Sequence, residues 1–307
     1  MTVMPSRRPS RSFPALALVV ALAGLASAQA PAPAARPVPK PTAPATTPAV
    51  PEPRAVPAPR ADPAAQLEFL RTAKVVASRP IGKGITGALR VTLSDGVVTH
   101  DAAFQSVDQG STPQDLQKGR RRAGELLFVD HYRYNIAAWR LSGLLGLAHM
   151  MPPTIERRIE GKPGALSWWM DDVLMDEQER EAKGAKPSQS AVGFARERQS
   201  MWVFAELVRD TDRNKGNVVY TKDWRVIMLD FTRAFRLQKE LKAPATLNGC
   251  SRALLTHLRA LTKPALEGAV EHHLTGREIE AVMARRDLLV AHFDHLVAQR
   301  GEAAVLY

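Results

Sequence analysis

Polar and apolar residues alternate with period two around residue 90. Leu89, Val91 and Leu93 share one face of residues 88–94, the pattern of a half-buried β-strand. Asp95-Gly96 follows as a hairpin turn. Residues 72–79 and 97–107 read as the strands before and after. Beyond them the period becomes helical. Ile136, Trp139, Leu141, Leu144 and Leu145 recur at helical spacing within a segment from about 124 to 145. Two more strands are expected at 152–158 and 165–170, on either side of a glycine-bounded turn. Residues 176–190 are charged and contain Gly184 and Pro187, which predicts a helix end and a mobile loop. A helix at 191–210 carries Phe194, Trp202, Phe204 and Leu207. Further helices are expected at 250–262, 264–274 and 275–300, the last with a Thr275/Glu278 capping box and a stop at Gly301. Strands therefore dominate the first part and helices the second. This order predicts an α+β fold and excludes alternating β-α units.

Composition changes the picture at the N-terminal end. Arg7, Arg8 and Arg11 precede an apolar run at residues 13–25, and Ala26-Ser27-Ala28 or Ala28-Gln29-Ala30 supplies small residues for cleavage. Residues 1–30 thus read as a secretory signal peptide, with a membrane anchor as the outcome if it stays uncleaved. Export would place the protein in the periplasm or outside the cell. No cysteine lies near the cleavage site, which excludes a lipoprotein anchor. Residues 31–64 hold 12 of the 23 prolines, a linker composition that cannot bury apolar surface. Two lobes are then expected, at 65–170 and 171–307. Of the net charge of +11, about half belongs to this folded part. No basic–aromatic repeat accompanies it, so a nucleic-acid partner is not expected. The single cysteine, Cys250, cannot form an internal disulfide, and a monomer held by its core is expected.

The chemistry concentrates in residues 209–235. Asp212 stands five residues before Asn217, and Asp230 ends an apolar strand. Carboxylate and amide oxygens of this kind suit a hard divalent cation. Upstream, Gly82-Lys83-Gly84-Ile85-Thr86-Gly87 joins two strands. A dinucleotide fold would need a helix after those glycines. A hairpin instead lets backbone N–H groups approach phosphate oxygens. His272-His273 and His292/His295 lack further ligands at useful spacing and read as satisfied or exposed histidines.

Taken together, Asp212-Arg213-Asn214-Lys215-Gly216-Asn217 and Met228-Leu229-Asp230-Phe231-Thr232-Arg233-Ala234-Phe235 resemble the catalytic loop and metal motif of atypical kinases. That group holds the phosphatidylinositol 3- and 4-kinases, the HipA-type kinases and the secretory-pathway kinases. More narrowly, the chain resembles exported bacterial members of the fold. The resemblance implies a two-lobed protein-kinase-like fold, with an antiparallel sheet and a helix in the first lobe and a mainly helical second lobe. It implies ATP or another nucleotide as donor, Mg²⁺ or Mn²⁺ as metal, and an acceptor hydroxyl on a protein, glycan, lipid or small molecule. Asp212 would take the hydroxyl proton, Arg213 would pair with phosphate or a carboxylate, and Asn217 and Asp230 would bind metal. Gly82, Lys83, Gly84 and Gly87 would cover the phosphates. The strand lysine of kinases falls at Gln105, which carries no charge. Lys83 or the Lys118–Arg122 cluster is the alternative source. Glu125 and Asp130 are the carboxylates available to orient such a cation. The departure at Gln105 keeps open a catalytically inactive pseudokinase that serves as a binding or scaffold protein.

Overall fold

The computed structural model describes residues 62–82, 87–111, 113–121, 127–187 and 191–307. The expected signal peptide, nearly all of the linker, and Lys83, Gly84 and Glu125 lie outside them. Helix α1 (Pro63–Thr72) opens the described chain, and the Asp62 side chain caps it by accepting from the Ala64 amide. Periodicity alone did not reveal this helix, because its buried contribution rests on Leu70. Three antiparallel strands follow: β1 (Lys74–Pro80), β2 (Leu89–Ser94) and β3 (Thr99–Gln105). Val91, Leu93, Ala102 and Phe104 face the core, as their alternation requires.

The helix expected from residue 124 starts later. Strand β4 (Asp108–Gly110) precedes helix α2 (Pro113–Gln117) and then pairs with β5 (Val129–His131). That pairing extends the backbone of 129–131, so helix α3 (Arg133–Leu144) begins only after it. Strands β6 (Thr154–Ile159) and β7 (Lys162–Trp168) complete a five-stranded sheet in the order β1-β2-β3-β7-β6. Arg157 on β6 donates to the Leu70 and Ala73 carbonyls, both at 2.6 Å, and so closes the C-terminal end of α1 against the sheet. Trp168 is buried and stacks on His100, with ring centroids 3.7 Å apart.

Strand β8 (Val173–Asp176) leads out of this sheet into helix α4 (Glu177–Lys183). Gly184 ends α4 with φ +59, the left-handed conformation that glycine adopts without strain. Helix α5 (Ala191–Leu207) follows, then β9 (Val218–Thr221) and β10 (Val226–Met228), which pair with β8 in the order β10-β9-β8. The rest is helical: α6 (Arg252–Ala260), α7 (Lys263–Val270), α8 (Gly276–Arg300) and α9 (Glu302–Val305). Helix α7 stops at Val270 because Glu271 turns to φ +50, and a 3-10 turn spans Glu271–His273. The expected continuation to residue 274 is thus cut short. The capping box of Thr275 and Glu278 opens α8. One apolar core fills the helical part, and a smaller one lies between the five-stranded sheet and α1.

Glu177 ties three of these elements together. Its carboxylate accepts from Arg180, from Arg198 on α5 and from Tyr220 on β9, at 2.5–3.0 Å. Burial raises the affinity of this carboxyl for a proton, but the three donors outweigh it and hold its pKa down to about 2. A depressed carboxyl stabilises the fold above its unfolded pKa of about 4.5, and the stabilisation is lost as pH falls through about 2. Acid titration of thermal stability should therefore lose on the order of 1–2 kcal/mol across that window. The variant Glu177→Gln should be less stable at neutral pH and should lose less on acidification.

Candidate active site

Helix α5 delivers the chain to a loop whose centre is a buried ion pair. Arg213 and Asp210 have 3% and 0% of their side chains exposed and meet at 2.6 Å. Asp210 also accepts from the Asp212 amide at 2.9 Å, which fixes the start of the loop. The Arg213 guanidinium then reaches across to a second segment. It donates to the carbonyls of Asn217 at 2.8 Å, Leu229 at 2.5 Å and Asp230 at 3.0 Å. Its plane lies 4.2 Å over the Phe231 ring. One planar fork of donors thus sets the distance between the loop of Asp212 and the segment of Asp230. The sequence reading left Arg213 as a phosphate partner or a structural tie. In the structure its donors go to Asp210 and to three backbone carbonyls, which makes it a structural tie.

Local turns aim the remaining groups. Asn214 Oδ1 accepts from the Gly216 amide and caps the 3-10 turn Lys215–Asn217. Asn217 donates through Nδ2 to the Asp212 carbonyl at 3.0 Å, so its Oδ1 is the atom left to accept or ligate. Asp230 adopts φ +54, a left-handed conformation that Asp tolerates when its side chain bonds locally. Here the Thr232 amide and hydroxyl both donate to Asp230 Oδ1, at 3.2 and 2.9 Å. Asp212 keeps 36% of its side chain exposed and accepts at Oδ1 from Asn214.

Gln105, at the end of β3, enters this constellation from above. Its Nε2 donates to Asp230 Oδ2 at 3.1 Å. Its Oε1 accepts from Asn135 Nδ2 on α3 at 2.6 Å, and Asn135 Oδ1 accepts from the Phe231 amide at 2.6 Å. Two amides thus link β3, α3 and the Asp230 segment with every donor and acceptor role consistent. Gly164 permits this closeness: a Cβ there would lie 2.5 Å from the Gln105 carbonyl oxygen. Asp130 on β5 sits beside Asp230. Burial first, and the neighbouring Asp230 charge, push its carboxyl above the usual range, although a hydrogen bond from Thr232 opposes them.

Gln105, Asn217 and Asp230 line a cavity of about 950 Å³ between the five-stranded sheet and the β9–β10 segment. Arg90 lies 4.1 Å over the Trp169 ring at its wall. A second cavity of about 910 Å³ borders Asp212 together with Trp202, Arg209 and Lys242. Asn214 lines both. Gly82 and Gly87 flank the hairpin turn between β1 and β2, with Ile81 and Ala88 bonded at 2.8 Å.

No protein-family model and no curated protein matches the chain. Solved structures do. Hydra Fam20 with sugar superposes with a TM-score of 0.58 at 14% identity, over 78% of this chain and 90% of that one. A Golgi casein kinase gives 0.57 at 13%, over 78% of this chain and 77% of that one. The Golgi casein kinase with Mn/ADP bound gives 0.55 at 13%, over 80% and 78%.

The fold is kinase-like. Its first part is an antiparallel sheet with helices and its second part is mainly helical, as the sequence predicts. Gln105, the position at which the sequence predicts a kinase strand lysine, is hydrogen-bonded to Asn135 on α3. The sequence reading sought the partner of position 105 at Glu125 or Asp130. The partner is Asn135, and it went unnoticed because a search for carboxylates passes over an amide. Its signal was only a polar residue on the otherwise apolar face of α3.

Removing one member of a buried pair strands the other, at a cost of about 3–5 kcal/mol. Arg213→Met and Asp210→Asn should each lose stability of that order in urea unfolding. The double variant should lose clearly less than their sum.

Proposed function

We propose that the chain is an exported, metal-dependent phosphotransferase that moves a nucleotide phosphoryl group to a hydroxyl acceptor. The observation that carries this reading is the Arg213 clasp, which holds Asn217 and Asp230 in one frame at the edge of the cleft. The donors there are an amide oxygen and a carboxylate, the hard oxygen set that Mg²⁺ or Mn²⁺ takes. Such an ion, held by Asn217 Oδ1 and Asp230, would neutralise phosphate charge. The likeness in fold to a casein kinase with Mn/ADP bound supports the same cleft as the nucleotide site.

Within this reading Asp212 works from its exposed carboxylate. It orients the acceptor hydroxyl and takes its proton at an oxygen not engaged by Asn214. The acceptor enters through the second cavity, on which Asp212 lies. Gly82 and Gly87 have open space where a Cβ would lie, which suits a backbone approach to phosphate. Gln105 holds Asp230 through a neutral hydrogen bond, so it orients the metal ligand and brings no charge to phosphate.

That neutral bond also favours a second reading, a binding protein of kinase-like fold without turnover. Two measurements separate them. Incubation with labelled ATP and Mg²⁺ or Mn²⁺ should label an acceptor or the chain itself, and Asp212→Ala and Asp230→Ala should each reduce incorporation by about 10³-fold or more. Absence of both incorporation and any nucleotide-dependent thermal shift would leave the second reading. The variant Gln105→Lys combined with Asn135→Glu should tighten nucleotide binding by about tenfold, measured by calorimetry, if charge at this point is what the chain gave up.

A further inference from the structure

Glu156, His272 and His273 meet away from the residues that line the two cavities. Their candidate ligand atoms all lie within 4.8 Å of one another. Glu156 comes from β6, the edge strand of the five-stranded sheet, and the histidines from the turn between α7 and α8. The sequence offers the two histidines without a third ligand nearby. The fold supplies one from 116 positions away.

The orientation of His273 is the informative feature. Its side chain is 2% exposed. Its Nδ1 lies 2.9 Å from the Val270 carbonyl, and a carbonyl can only accept, so Nδ1 carries the proton. In the neutral ring Nε2 then presents a lone pair. That buried atom has no hydrogen-bond partner, yet it faces Glu156 Oε2 at 3.3 Å. In that state two acceptors face each other across that distance, which is unfavourable until a proton or a metal ion stands between them. His272 Nε2 lies 3.0 Å from the same oxygen. In a tetrahedral zinc site the bonds are about 2.0–2.2 Å, so neighbouring ligand atoms stand about 3.3 Å apart. The two histidine–carboxylate separations match this spacing, and the three ligand atoms lie within 4.8 Å of one another.

We propose that Glu156, His272 and His273 form a site for Zn²⁺ or a similar transition-metal ion, with water at the fourth position. The outer groups are already placed. The Val270 carbonyl fixes the His273 tautomer. Tyr132 donates to the other Glu156 oxygen at 2.9 Å. His272 presents Nε2 when its proton resides on Nδ1, which faces Glu271 Oε2 at 4.0 Å. A carbonyl partner such as that of His273 accompanies metal-bound histidines. Arg140 on α3 reaches the end of α7, donating to the Ala269 carbonyl at 2.9 Å. The Arg140 charge is met by Glu271 at 2.5 Å, so it does not exclude a cation. A bound ion would tether the free edge of the sheet to the helical part. This inference uses none of the cleft residues and stands apart from the phosphotransferase reading.

The test is a Co²⁺ titration of the full chain, stripped with a chelator and held in excess Mg²⁺ to occupy hard oxygen sites. One equivalent should give the visible absorption of four-coordinate cobalt, bleached by Zn²⁺. Zinc should also raise the melting temperature. His272→Ala and Glu156→Gln, both at accessible positions, should each weaken Zn²⁺ binding by about tenfold or more, while Asp230→Asn should leave the cobalt band in place. No visible band, a band unchanged in His272→Ala and Glu156→Gln, or a band lost in Asp230→Asn would each overturn the proposal.

Discussion

Everything at the candidate active site hangs on the buried contact of Arg213 with Asp210. A guanidinium out of water needs its charge met and its donors filled. Asp210 meets the charge, and the carbonyls of Asn217, Leu229 and Asp230 fill donors on two of its nitrogens. These carbonyls belong to two segments separated by the β9–β10 hairpin. The desolvation demand of one side chain therefore dictates where two loops meet. The left-handed backbone of Asp230 persists for the same reason, because its carbonyl is held from below while its carboxylate is held by Thr232.

The amide pair of Gln105 and Asn135 performs a related job without charge. In protein kinases a lysine–glutamate ion pair brings a cation to phosphate and ties a helix to the sheet. Here the tie remains, since Asn135 bridges Gln105 and the Phe231 amide. The cation does not. Gln105 instead donates to the carboxylate that the proposed metal would use.

Much of this was legible in the chain because it is local. Period-two alternation located β2 and β3, Asp95-Gly96 located their turn, and the Thr275/Glu278 pair marked the start of α8. The spacing of Asp212, Asn217 and Asp230 was readable for the same reason, as each sits in a short motif with its own turn residues. Long-range pairing was not. The β4–β5 ladder that delays α3, the partnership of Gln105 with Asn135, and the meeting of Glu156 with His272 and His273 all depend on which segments the fold brings together. Arg213 shows the boundary between the two cases. Its identity suggested a charge partner, but only burial decided between a phosphate and backbone carbonyls.

The two polar clusters divide the work of joining the sheet to the helical part. Gln105 and Asn135 make that join on the cleft side, with hydrogen bonds whose donors and acceptors are fully matched. On the outer edge, β6 meets the α7–α8 turn through Glu156 and a buried imidazole nitrogen that has no donor facing it. A matched network is complete without a ligand, whereas an unmatched buried acceptor is costly until something positive arrives. The cleft side therefore has a fixed geometry before any ion binds, and the outer edge is where occupancy by a cation would change stiffness.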